Sequence, residues 1–135
     1  MRGRARCGLI AGGVAGVVSG APSTAHAVLT GRPPLGAARA AASLLGGVGL
    51  VRGAVAHSAL SVAWGMVLAS LLPRRHAVAS GALAGLAIAA LDLGLVGRRV
   101  AEVRALPQLP QVADHVVFGA VAGAVLSKCS SGGLG

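Results

Sequence analysis

Five ionisable side chains lie within or beside the apolar stretches of this chain: His26, His57, Asp92, Asp114 and His115. Such groups are costly in hydrocarbon, so each is a candidate for function. Three imidazoles and two carboxylates brought together would suit Zn, Fe, Ni or Mn. They would equally serve as a proton relay, because histidine titrates near neutral pH. A polar ligand or lipid headgroup is a third use. No His-x-x-His or Glu-x-x-His pair is present, and those spacings make a helical metal site credible. The first expectation is therefore structural: Asp114 caps its own helix, Asp92 pairs with Arg98 or Arg99, and the histidines hydrogen-bond across helices. A bound metal is the lesser alternative, and no other cofactor is expected. No serine stands in a nucleophile-elbow context and no phosphate-cradling Gly loop ends in Lys-Ser or Lys-Thr, so no catalytic residue is assigned.

The elements holding these groups follow from composition. Of 135 residues, 55% are hydrophobic and only 11% charged. A soluble domain carries roughly a quarter charged residues. So little charge excludes a water-facing surface, and so much apolar content excludes disorder; an integral membrane protein remains. The net charge of +9 does not point to nucleic acid, because one Trp, one Phe and no Tyr leave no stacking platform. The basic residues fall instead in small groups between apolar runs, as flanking anchors do, with anionic headgroups as natural partners. Arginine far outnumbers lysine, and with the Ala, Gly and Val content this suggests a GC-rich bacterial genome. Cys7 and Cys129 lie near opposite ends without metal-ligand spacing and are expected to be incidental reduced thiols.

Four runs have the character of membrane helices, at residues 7–30, 53–72, 77–97 and 112–127. The two middle runs have full spanning length and are expected to form a helical hairpin across the Pro73-Arg74-Arg75-His76 turn. The last is short, so either the bilayer thins or linker residues join it. The first carries Pro22 as an expected kink. It also fits a signal peptide cleaved after Ala25-His26-Ala27, but a retained helix is preferred because Gly12, Gly16 and Gly20 recur on one face. Residues 36–51, after the Pro33-Pro34 break, are short for a span and read as an interfacial or re-entrant helix, with a fifth span as the alternative. Residues 128–135 read as a disordered tail. The fold class is thus all-α: an integral membrane bundle of four transmembrane helices with a short interfacial helix between the first and second. Charge does not orient it, because each side carries six Lys or Arg residues; the arginine-rich start favours cytoplasmic termini.

An up-and-down path puts His26, His57, Asp92, Asp114 and His115 roughly 3–8 Å below one interface at ~1.5 Å per residue. Asp92 shares a face with Gly81 and Gly85, His57 with Ser61 and Gly65, and His115 with Gly119 and Gly123. Small residues mark helix contacts in membranes, so the polar groups are expected to point into the bundle. The faces at Gly12, Gly16, Gly20, Gly81, Gly85, Gly119 and Gly123 are expected to pack the bundle more than to dimerise it. Trp64, in mid-span, reads as packing.

The segments GAPSTAHAVLTGRPPLGAARAA, residues 20–42, and ALPQLPQVADHVVFGAVAGAVL, residues 105–126, resemble a family of small uncharacterised multi-pass membrane proteins. That family is chiefly actinobacterial and drawn with about four helices. The resemblance implies that residues 20–27 stay in the mature chain, and it implies no activity. The expected setting is a bacterial inner membrane. The expected role is structural or interactive, through helix packing with a second copy or another membrane protein. The alternative is a small oligomeric channel or transporter subunit whose His/Asp layer binds a cation or proton.

Overall fold

The computed structural model describes residues 2–131, and among them the chain is helical without a strand. In chain order the helices are α1 (Arg2–Val18), α2 (Ala21–Leu29), α3 (Gly36–Ala42), α4 (Leu50–Leu71), α5 (Ala77–Leu91), α6 (Ala101–Arg104) and α7 (Gln108–Ser131). Four stretches are long and apolar enough to cross a membrane: Gly3–Leu29, Leu50–Leu71, Ala77–Arg99 and Gln108–Cys129. Burial follows the membrane pattern: alanine and glycine make up most of the interior, beside Leu68, Ile88, Phe118 and Leu126, and many large aliphatic residues face outward. Ala11, Ala15 and Ala122 are 0% exposed, whereas Val17 is 86% and Leu71 74% exposed. Water would penalise that surface heavily, while lipid tails accept it. The protein is a multi-pass membrane protein built as a four-helix bundle.

Several boundaries differ from the sequence reading, each for a local reason. The first span is broken rather than merely kinked: α1 stops at Val18 and α2 restarts at Ala21. Pro22 sits in the first turn of α2, where a missing N–H is harmless, but it cannot donate back to Val18, so the helix parts just before it. The interfacial helix is α3, continued by a single 3₁₀ turn, Ser43–Leu45, that ends at Gly46 in the left-handed region (φ 68°). It is no span, and Leu50 and Val51 belong to α4. The last span is not short: Pro107 and Pro110 mark the start of α7, which takes in Gln108 to Gln111 and runs on through Ser131. Residues 128–131 are therefore helical, and residues 132–135 of the expected tail lie outside the described residues.

Tertiary packing departs from the expected hairpin. α4 and α5 are joined by a short turn yet pack on different partners, α4 on α1 and α5 on α7; the α1–α7 contact joins the pairs. Each pair is antiparallel and closes through glycine. A Cβ on Gly65 would lie 2.5 Å from the Gly8 carbonyl oxygen, and one on Gly12 would lie 2.5 Å from the Ser61 carbonyl oxygen. In the second pair a Cβ on Gly81 would meet the Gly119 backbone, one on Gly85 that of His115, and one on Gly123 that of Ala77. Gly16 faces the Ser61 side chain. Gly20 has open space around it and packs against no helix.

The α1–α7 contact also overturns the reading of the cysteines. It brings the start of α1 beside the end of α7, and Cys7 and Cys129 are disulfide-bonded with their Cα atoms 6.1 Å apart. Sequence separation hid the pair; antiparallel helices made it.

Leucine at Gly65 or Gly119 would force backbones apart, so Gly65→Leu and Gly119→Leu should each destabilise the bundle by about 1–3 kcal/mol or more. Gly13 of α1 has nothing within 4 Å, and Gly13→Leu should stay within about 0.5 kcal/mol of the parent. Thermal melts in detergent, followed by circular dichroism, check both expectations.

Candidate functional site

The break in the first span leaves backbone groups without helical partners, and side chains from other helices fill that need. Helix termini expose the last carbonyls of α1 and the first N–H groups of α2. His57 of α4 puts Nε2 2.8 Å from the Gly16 carbonyl oxygen. Because a carbonyl only accepts, Nε2 carries the hydrogen and donates it. Asp114 of α7 accepts the Ser23 N–H at Oδ1, 2.9 Å away, with its negative charge at the positive end of α2. Asp114 thus caps α2 rather than its own helix. Two of the five sequence candidates, His57 and Asp114, therefore hold the broken span together.

Asp92 and His115 form a different arrangement. Asp92 opens a π-helical turn, Asp92–Val96, where α5 gives out; π-turns within helices are frequent at functional sites. The turn directs the carboxylate toward α4 and α7 rather than toward Arg98 or Arg99. Trp64 of α4 donates its Nε1–H to Asp92 Oδ2 at 3.1 Å, and His115 Nε2 lies 3.5 Å from the same oxygen. On the other side of the ring, His115 Nδ1 is 2.7 Å from the Gln111 carbonyl oxygen, which fixes the hydrogen on Nδ1. Neutral His115 therefore presents a lone pair toward Asp92. The pair can hold one further proton, as a carboxylic acid facing imidazole or as a carboxylate facing imidazolium. Both side chains are about a quarter exposed (26% and 21%), and Trp64 is half-buried beside them.

His26, the fifth candidate, stands apart. It is half-buried and lines a cavity between α2, α3 and the start of α7. Among the described residues no three His, Cys, Asp or Glu side chains converge as a metal-holding group. Four of the five make these hydrogen-bond or ion-pair contacts: His57 with α1, Asp114 with α2, and Asp92 with His115. Trp64 is the partner that sequence reasoning missed. Its one available signal was a polar indole N–H in mid-span, which needs an acceptor when buried. Family models, curated proteins and solved structures were compared with the chain, and none matches.

Trp64 is the sole tryptophan, and the chain has no tyrosine, so intrinsic emission reports this contact directly. Asp92→Ala should shift Trp64 emission to shorter wavelength, because the indole loses its polar partner. Asp114→Ala should cost about 0.5–2 kcal/mol as a lost helix cap and leave the emission unmoved. Identical spectra for Asp92→Ala and the parent would remove the contact.

Proposed function

We propose that this membrane protein handles protons, with the Asp92–His115 pair as its loading site and the working unit a small oligomeric channel or transporter subunit. The hydrogen-bond polarity at His115 carries this reading. Its Nδ1 hydrogen is committed to Gln111, so Nε2 and the Asp92 carboxylate compete for one mobile proton. Loaded, the pair is neutral overall; unloaded, it carries one negative charge, which a small cation would also satisfy. Trp64 holds the carboxylate in place through either state.

A structural or interaction role, the first expectation from composition, has less support. Gly12, Gly16, Gly81, Gly85, Gly119 and Gly123 already meet other helices of the same chain. An association with a second copy or another membrane protein would have to use the outward aliphatic surfaces. We place the protein in the inner membrane of a bacterium, a setting supported by its composition and by its helical rather than barrel-like spans.

The test is proton uptake into proteoliposomes holding an entrapped pH dye, driven by a potassium diffusion potential. Asp92→Asn and His115→Phe should each slow uptake by roughly a hundredfold, the scale of a lost proton-transfer group. His57→Asn, which keeps a donor near Gly16, should retain most of it. Equal rates in Asp92→Asn and the parent would sink the proposal.

A further inference from the structure

A second polar site adjoins the Asp92–His115 pair, one turn back along α7. Where α2, the Pro33-Pro34 break, α3 and the start of α7 meet, they form an open-mouthed cavity of about 120 Å³. That is well above the roughly 10–15 Å³ that one water requires. Ser23, His26, Arg32 and Gln111 are its polar lining residues, and Pro33 and Leu106 contribute apolar wall. The spans Gly3–Leu29 and Gln108–Cys129 end and begin here, so the cavity lies at headgroup level.

Gln111 marks it as a site. The residue is only 8% exposed. Its backbone carbonyl serves His115, while the residue lines the cavity with its carboxamide uncommitted to another side chain or backbone group among the described residues. An accessible amide beside a cavity can donate its N–H groups to whatever the cavity holds. The neighbours say what that is. Arg32 is a permanent cation and His26 a second nitrogen donor, and no carboxylate lines the wall. Asp114, just along α7, is turned to the Ser23 N–H. Ser23 directs its hydroxyl to the Gly20 carbonyl oxygen, leaving its own oxygen a minor feature of the wall. We infer that this cavity binds a phosphate oxyanion, with Arg32 supplying charge and His26 and the Gln111 amide supplying N–H donors. Its depth fits the phosphodiester of an anionic phospholipid; inorganic phosphate shares the chemistry.

Native mass spectrometry of the detergent-purified full chain separates the two sources. Phosphatidylglycerol, phosphatidylcholine and inorganic phosphate are added in parallel to the parent and to Arg32→Gln, Gln111→Leu and Gln111→Glu. Phosphatidylglycerol adducts should persist on the parent and fall roughly tenfold or more in each variant, with phosphatidylcholine retained much less throughout. Phosphate adducts with the same variant dependence, and no lipid preference, would support the site and assign it to the free ion. Equal phosphatidylglycerol retention in the parent and all three variants would overturn it. Trp64 emission and the Cys7–Cys129 bridge report whether each variant is folded.

The disulfide carries an independent inference about sidedness. Basic residues are equally divided between the two faces, so charge does not orient the bundle. Cys7 and Cys129 share the face opposite the phosphate cavity. Closing their bridge takes two electrons and two protons from the thiols. A disulfide-exchange catalyst accepts them as its own disulfide becomes a dithiol, and such oxidants act outside the cytoplasm. The geometry points to an extracytoplasmic Cys7–Cys129 face, opposite to what the arginine-rich start suggests, and so to a cytoplasmic phosphate cavity. Intact cells treated with an impermeant reductant and then an impermeant polyethylene-glycol maleimide should give a doubly shifted chain, with no shift when the reductant is omitted. Labelling without reductant would overturn the bridge on which the orientation rests, and labelling only after the cells are lysed would overturn the orientation itself.

Discussion

Backbone-to-backbone contact at glycine is the constraint on which the rest of the molecule depends. In lipid there is little hydrophobic gain from bringing helices together, so association rests on close van der Waals packing and polar contacts. Gly8, Gly12 and Gly65 supply that closeness between α1 and α4, and Gly81, Gly85, Gly119 and Gly123 supply it between α5 and α7. The two pairs repeat one scheme. In each, a face of small residues on the earlier helix meets a face on the later helix that begins with histidine, His57 in one case and His115 in the other. Because these pairings are so intimate, α4 and α5 stand apart despite their short connection.

That separation gives the polar residues their roles. Trp64 reaches from α4 to Asp92 across the space the hairpin does not close, and His115 approaches the same carboxylate from α7. The break before Pro22 has the complementary effect on the other pair of helices. It exposes a carbonyl at Gly16 and an N–H at Ser23, and His57 and Asp114 are held by them. A continuous first helix would have kept both backbone groups in its own hydrogen-bond ladder and withdrawn them from the two side chains. Pro22 therefore decides that His57 and Asp114 serve the broken span, while Asp92 and His115 are left to face each other.

Much of the architecture was legible because it depends on local composition. Apolar runs of about 20 residues must be helical in hydrocarbon, since no water satisfies their backbones, and Pro33-Pro34 and Gly46-Gly47 had to interrupt the chain between the first two. The glycine faces were legible from four-residue spacing. The proline pair at 107 and 110 was harder, because proline ends a helix in its interior but is welcome in its first turn. The same residues fit a linker or a helix start until a neighbour selects one.

Sequence by itself determined the helical membrane class, the approximate spans, the small-residue faces and the set of ionisable groups within the apolar layer. Each follows from the period of the helix and the cost of exposing polar backbone to lipid. Only the tertiary structure decided which face met which, that Cys7 meets Cys129 across 122 residues, that Asp92 finds His115 and Trp64 instead of Arg98 or Arg99, and that Gln111 opens onto a cationic cavity. Those outcomes depend on the pairing and tilt of whole helices. Pairing is set by the sum of many weak backbone contacts, and no single spacing in the chain encodes it.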